Sequence, residues 1–389
     1  MSSLELLNSY DISTNGFIPE EHPLENLPEY FEPWDRLVYK LPVLIKENNL
    51  KEAVKVLPLL DSTKLETSGE LQRGYLILSM IAHSYMWDPN YNNKPEFIPS
   101  QLAIPWHNIA TRLGIVPILT HAAVDLYNWK LIDKSGSIVL DNLRAIHTIT
   151  GTFDEEWFYI VMTAIEKKGF TILLEIVNIY KINLNDDFIR IVIDSLQNIR
   201  DTLIEIKKIL GRMKEKCRPE IFFNVLRPFL GGWFGNDTFP NGIVYQGVSE
   251  EPMKYVGGSA AQSSLLPSID AAFNVEHADV YFEKIKKYMP DKHREFINFV
   301  KDNINIRTIV ESSNNPQLTS IYNDCLSELK KLRLVHRGIA ELYIQKMIQL
   351  NEGSTTKSPD ELKGTGGTTI AEFLTKAIDE TGSKIYLSE

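Results

Sequence analysis

The segment 192–213 constrains the fold most. Val192, Leu196, Ile199, Leu203, Ile206, Ile209, Leu210 and Met213 recur there at spacings of three and four. That period lines one face of an α-helix with apolar side chains, and such a face has to be buried against other elements. Residues 71–87, 107–130, 155–180, 280–303 and 318–349 carry the same pattern less regularly, so the expected fold class is all-α. In ITGTFDEEWF, Thr152 precedes Glu155 by three residues, the signature of a capping box at the start of a helix. The 389 residues suffice for two domains. The expected division is a small N-terminal helical domain over 1–145, opened by a Pro-, Glu- and Asn-rich arm over 1–36, and a larger helical domain over 146–389. Two stretches lack a helical period. Residues 228–268, dense in glycine and aromatics, read as a long functional loop, and residues 351–369, polar and glycine-rich, read as a mobile loop.

The formal net charge of −10 argues against nucleic acid and anionic membrane as partners, because phosphates call for a basic face. The basic cluster Lys207, Lys208, Arg212, Lys214, Lys216 and Arg218 reads as a solvated helix face. Cys217 and Cys325 stand far apart with no C-x-x-C, which fits a reducing compartment better than a disulfide framework or a zinc site. The N-terminus has no basic region ahead of an apolar run, and no stretch reaches the roughly 18 apolar residues of a membrane span. The expectation is a soluble, cytoplasmic protein with no obligate protein partner.

Few motifs carry chemistry on their own. The glycines of YVGGSAAQSS and GTGGTT do not make a phosphate loop, since neither fits G-x-x-x-x-G-K-[ST] nor follows a strand pattern. They do offer small side chains that let a flat ligand approach the backbone. H-E-x-x-H and G-x-S-x-G are absent. His277, Asp279 and His293 could form a two-histidine, one-carboxylate iron triad, although exposed polar groups at a helix start explain His277 and Asp279 equally well. His336 shares a helical face with Leu329, Leu332, Ile339 and Tyr343. It is either a core histidine with both nitrogens hydrogen-bonded or an axial haem ligand, and nothing local decides between them. Arg227 closes an apolar run five residues after Phe222. It can pair with an acid or clamp a small carboxylate in bidentate fashion.

Taken in order, RPFLGGW, GIVYQG, GGSAAQSS, KYMPDKHREF, LRLVH and GTGGT resemble the indoleamine 2,3-dioxygenase family, from residue 30 to the C-terminus. The WFY of EEWFYIVM resembles its fungal-type branch. The resemblance implies a small and a large α domain with haem b, iron protoporphyrin IX, between them. It implies His336 as the proximal iron ligand, Arg333 as the partner of a haem propionate, and Gly258, Ser259 and Ala260 as the loop over the distal face. Phe222 and Arg227 match the pair that packs the indole and binds the substrate carboxylate. Phe158 matches the opposite wall, and Thr365 the lid. Of these, Phe222, Arg227 and Ser259 are implied to stand nearest the reacting atoms. The implied reaction inserts dioxygen across the indole C2–C3 bond of L-tryptophan, or a related indoleamine, giving N-formylkynurenine, the first step of the kynurenine pathway. Two wall positions depart from the pattern, Met162 where a serine is common and His121 where a tyrosine is common. They leave open a related haem protein acting on another indole, or a haem or tryptophan sensor.

Overall fold

The computed structural model describes residues 1–386 apart from 92–93, 183–186, 236–237, 279 and 353–369. Its longer helices are α1 (Glu32–Lys46), α2 (Ser68–Trp87), α3 (Ser100–Arg112), α4 (Phe153–Lys181), α5 (Phe188–Gly211), α6 (Asp291–Asn303), α7 (Pro316–Ala340) and α8 (Ile370–Gly382). Among the described residues strand is confined to two short pairs, Phe97–Ile98 parallel to Val244–Tyr245 and Trp129–Leu131 antiparallel to Leu143–Ala145. The fold is all-α, as the periodicity requires.

The apolar stripe of 192–213 becomes α5, which packs against α4 on one side and α7 on the other. Val192, Leu196, Ile199 and Leu203 are fully buried there. Helix α8 lies on α7. Thr152 starts α4 by accepting a hydrogen bond from the Glu155 N–H at 3.2 Å. Only half of the expected box forms, because the Glu155 carboxylate turns back to the N–H groups of Ile149 and Thr150, both at 2.7 Å. Complete boxes form at α2, between Thr67 and Glu70, and at the short helix Ser3–Asn8, between Ser2 and Glu5.

Several expected helices are broken, each for a local reason. The run 107–130 stops at Arg112, because Gly114 takes a left-handed conformation (φ +62°) and Pro117 offers no N–H to continue. The run 280–303 is split by Pro290, which precedes α6. The N-terminal arm is more ordered than its composition suggests. It contains a capped helix at Ser3–Asn8, and Leu6, Leu7, Ile12, Phe17 and Ile18 are buried. It lands on α4, where Lys167 Nζ donates to the Thr14 carbonyl at 2.8 Å and a Cβ at Gly16 would meet the Glu166 carbonyl at 2.7 Å.

Three five-residue turns are π-helical: Ala122–Leu126, Phe222–Leu226 and Glu341–Gln345. Single π turns inside helices are frequent at functional sites, and the second and third of these carry Phe222 and Tyr343.

Candidate active site

His336 sits on the inward side of α7, where it lines two adjoining cavities. Met162, Leu210, Ala260, Ala261, Phe373 and Leu374 line both as well, so the two share a wall. No described residue hydrogen-bonds the His336 ring. Burial, helped by the Arg333 cation, holds its pKa below the ordinary histidine value, so the ring is neutral with one nitrogen lone pair available. His83 differs in having both nitrogens bonded, to the Phe229 carbonyl and the Leu119 N–H at 2.8 and 2.9 Å.

The first cavity reaches Arg333 and Asp270. Arg333 Nη2 donates to both Asp270 oxygens, at 2.7 and 2.6 Å, and its Nη1 to Thr381 on α8. The guanidinium assigned by resemblance to a propionate therefore has a protein carboxylate of its own. His277 extends the chain, bonding Asp270 at 2.9 Å and Glu380 at 2.5 Å. Burial alone would push Asp270 up and pull His277 down. The Arg333 cation and His277 outweigh it for Asp270, which is lowered, and the Asp270 and Glu380 carboxylates outweigh it for His277, which is raised.

The second cavity is aromatic. The Phe158 and Phe222 rings lie 5.0 Å apart, and Phe222 meets Tyr343 at 5.6 Å. Arg227 lies at the same cavity, largely buried, its Cζ 5.3 Å from the Phe223 ring. Burial lowers its pKa without bringing it near neutrality. Gly258, Ser259 and Ala260 form part of the wall. The Ser259 hydroxyl accepts from the Ala261 N–H at 3.3 Å and so caps the tight turn Ala260–Gln262. Just behind this wall the chain crosses itself. A Cβ at Gly257 would lie 2.0 Å from the Leu230 carbonyl oxygen, and one at Gly232 2.3 Å from the Gly257 nitrogen. Only glycine permits that approach.

Of the residues singled out in the sequence, Phe158, Met162, Phe222, Arg227, Gly258, Ser259, Ala260, Arg333 and His336 converge on these cavities. His121 does not. It is buried outside both linings, between Asp125 and Glu166. Thr365 lies outside the described residues, as does Asp279. The iron triad finds no support: His277 is committed to Asp270 and Glu380, and His293 is buried against the Phe17 ring at 4.5 Å. Among the described residues no cluster of three or more His, Cys, Asp or Glu could hold a metal ion. Sequence reasoning missed Tyr281, Tyr343, Ile344, Phe373 and Leu374 as lining residues. Tyr343 had a signal, its place on the His336 face; α8 had none. Every lining residue falls between Phe158 and Ala377, so the N-terminal part backs the site and the C-terminal part encloses it. No helix among the described residues is long and apolar enough to cross a membrane.

This architecture defines a class: an all-helical protein with a large apolar interior space, one neutral imidazole in its wall and one buried guanidinium among aromatic rings. The chain belongs to the indoleamine 2,3-dioxygenase family, whose model matches residues 6–384. Indoleamine 2,3-dioxygenase 1 of Rattus norvegicus is 31% identical over 396 residues, covering 99% of this chain and 97% of the relative. Indoleamine 2,3-dioxygenase of Saccharomyces cerevisiae is 32% identical over 428 residues, covering 98% and 94%. A myoglobin of Haliotis diversicolor is 31% identical over 388 residues, covering 96% and 97%. Membership of this family implies a haem cofactor. The residues present fit one, since an imidazole with no hydrogen-bond partner among the described residues faces an apolar space with a fixed cation at its edge.

Proposed function

We propose that this protein is a haem b-dependent dioxygenase that inserts both atoms of dioxygen across the indole C2–C3 bond of L-tryptophan, giving N-formylkynurenine. The observation that carries the reading is that Arg227, Phe158 and Phe222 line the same cavity as His336. A carboxylate clamp, an aromatic slot and an imidazole that would hold the iron are the three parts this reaction needs from the protein.

In this reading His336 ligates the iron, and Arg333 with Asp270 sets the charge at the haem edge. The haem supplies the activation of dioxygen. The rest is positioning by the chain. Arg227 binds the substrate carboxylate, a bond that a lysine could make only at a single point. Phe158 and Phe222 hold the indole plane by apolar contact and offset stacking. Gly258, Ser259 and Ala260 keep the wall thin enough for dioxygen beside the indole. The apolar lining excludes water, and fixed orientation lowers the entropic part of the barrier. Among the described residues the aromatic cavity is lined by no carboxylate. The division near residue 145 is kept as the domain boundary, with the smaller part bracing the wall.

One observation favours a second reading: a relative named myoglobin matches over nearly the whole chain at the same identity as a relative named dioxygenase. A haem protein that handles dioxygen without tryptophan turnover, acts on another indole or senses haem or tryptophan would share most of this site. Met162, apolar where a serine is common, supports it. The test is to reduce the haem-loaded protein anaerobically, add L-tryptophan and oxygenated buffer, and follow the product band over many turnovers, with indole and tryptamine in parallel. Turnover of L-tryptophan well above both carries the first reading. A stable haem spectrum without product carries the second.

A further inference from the structure

His121, the residue expected in the pocket wall, is engaged elsewhere. Its imidazole lies between two buried carboxylates, with Nδ1 2.7 Å from Asp125 Oδ2 and Nε2 2.9 Å from Glu166 Oε1. All three side chains are at most 5% exposed. Burying one cation with two anions is costly, and such an arrangement persists only where further hydrogen bonds support it. Those further bonds go to the loop that walls the site. The Ser263 hydroxyl donates to the same Glu166 oxygen at 2.5 Å, and Gln262 Oε1 accepts the His121 N–H at 3.0 Å. Gln262 Nε2 then donates to the Gly257 carbonyl at 2.8 Å, which ties the two ends of the loop together. Between these anchors lie Gly258, Ser259, Ala260 and Ala261, which share the cavity wall with His336.

The loop between Gly257 and Ser263 has only one short turn of regular structure, and it is held at one end by the Gly258 N–H donating to the Leu230 carbonyl at 3.0 Å and at the other by what its side chains bond. The Ser263 bond ends on the Glu166 carboxylate that also faces His121, and a hydrogen bond to a charged acceptor is roughly twice as strong as a neutral one.

We propose that His121 and Glu166 are positioning residues: the ion pair suspends the 258–263 loop, through Ser263, at a fixed height over the face of the haem. This rests on the haem reading given above.

The test uses the full chain loaded with haem, carbon monoxide as the probe of the ferrous iron, and amide hydrogen exchange of residues 258–262. Ser263→Ala removes one hydroxyl, with its bonds to Glu166 and from the Leu265 N–H, and leaves the ion pair in place. Exchange at 258–262 is expected to speed up about tenfold, the loss of one charge-assisted bond. The carbon monoxide association rate should shift severalfold, and KM for L-tryptophan should stay within about twofold, since the carboxylate and indole contacts are on other elements. Ser263→Thr, which keeps the hydroxyl, should retain the parent values, and Glu166→Gln should fall between. Unchanged loop exchange and unchanged carbon monoxide kinetics in Ser263→Ala would overturn the proposal. Loop exchange is readable without haem, so a parent protein with no Soret band overturns the haem reading while the anchoring is still measured.

Discussion

Phe222 and Tyr343 meet edge to face, with ring centroids 5.6 Å apart and planes at 74°, and each ring is carried by a π-helical turn. The Tyr343 hydroxyl donates to the Cys217 carbonyl, which fixes that ring from behind. Two widened turns thus bring together rings from distant parts of the chain to build one side of the aromatic slot. Tyr343→Phe keeps the ring and frees it, and should raise KM for L-tryptophan a few-fold, the worth of about 0.5–1.5 kcal/mol for one neutral hydrogen bond. Tyr343→Ala, which removes the wall, should cost considerably more. Equal values for the two variants would mean that the ring does not touch substrate.

His336→Ala should abolish haem retention. The measurement is the Soret band after gel filtration of protein expressed with ample haem precursor. Imidazole added to the variant should restore part of the band, because the space left by the side chain opens on the cavity. A variant that keeps its full band through the column would place the axial ligand elsewhere.

Arg227→Leu should raise KM for L-tryptophan about 10- to 100-fold, corresponding to about 1.5–3 kcal/mol for hydrogen bonds to a charged group. The same change should leave turnover of indole nearly unaltered, since indole has no carboxylate to lose. Arg227→Lys should recover only part of the affinity, because an ammonium cannot make the bidentate contact. A KM for L-tryptophan unchanged in the leucine variant would show that the carboxylate is held by another group.

How much of this was legible in the sequence follows from the geometry of each element. His336 was, because its face repeats at the helical period over α7, and so were the stripe of α5 and the all-α class. The partnership of Phe222 and Arg227 was not readable from period. Five residues apart in an α-helix stand about 140° from each other, and it is the i to i+5 bonding of the π turn that returns them to one cavity. Only the resemblance paired them. His121 was misplaced because one of its two carboxylate partners, Glu166, is 45 residues away, a distance no local pattern spans. Phe373 and Leu374 lay beyond reach for the same reason: α8 joins the site by packing on α7, and packing between elements leaves no trace in their spacing.

The contact of α8 with the site should depend on pH through His277. Its folded pKa is raised above the unfolded value, so the stability it contributes is fully present below about pH 6.5 and is lost as pH rises through the folded value. Asp270 has the opposite sign: its lowered pKa contributes stability above about pH 4 that is lost on acidification. The expected result is a plateau in thermal midpoint between these limits, with a decline on the alkaline side. In His277→Gln the alkaline decline should flatten, while the acid limb, which belongs to Asp270, persists. An alkaline limb identical in the two proteins would remove His277 from the coupling.

The landing of the N-terminal arm on α4 also fixes an order of events during synthesis. Leu6, Leu7, Ile12, Phe17 and Ile18 are buried where the arm lands on a helix that ends at Lys181, and Phe17 also meets His293 and Phe296 on α6. At ordinary elongation rates of about 5–20 residues per second, that surface follows the arm by roughly ten to thirty seconds. For that interval these apolar residues, made before the helix that receives them, have no native place to go. They must be kept from other chains while the helix that will receive them is still being translated.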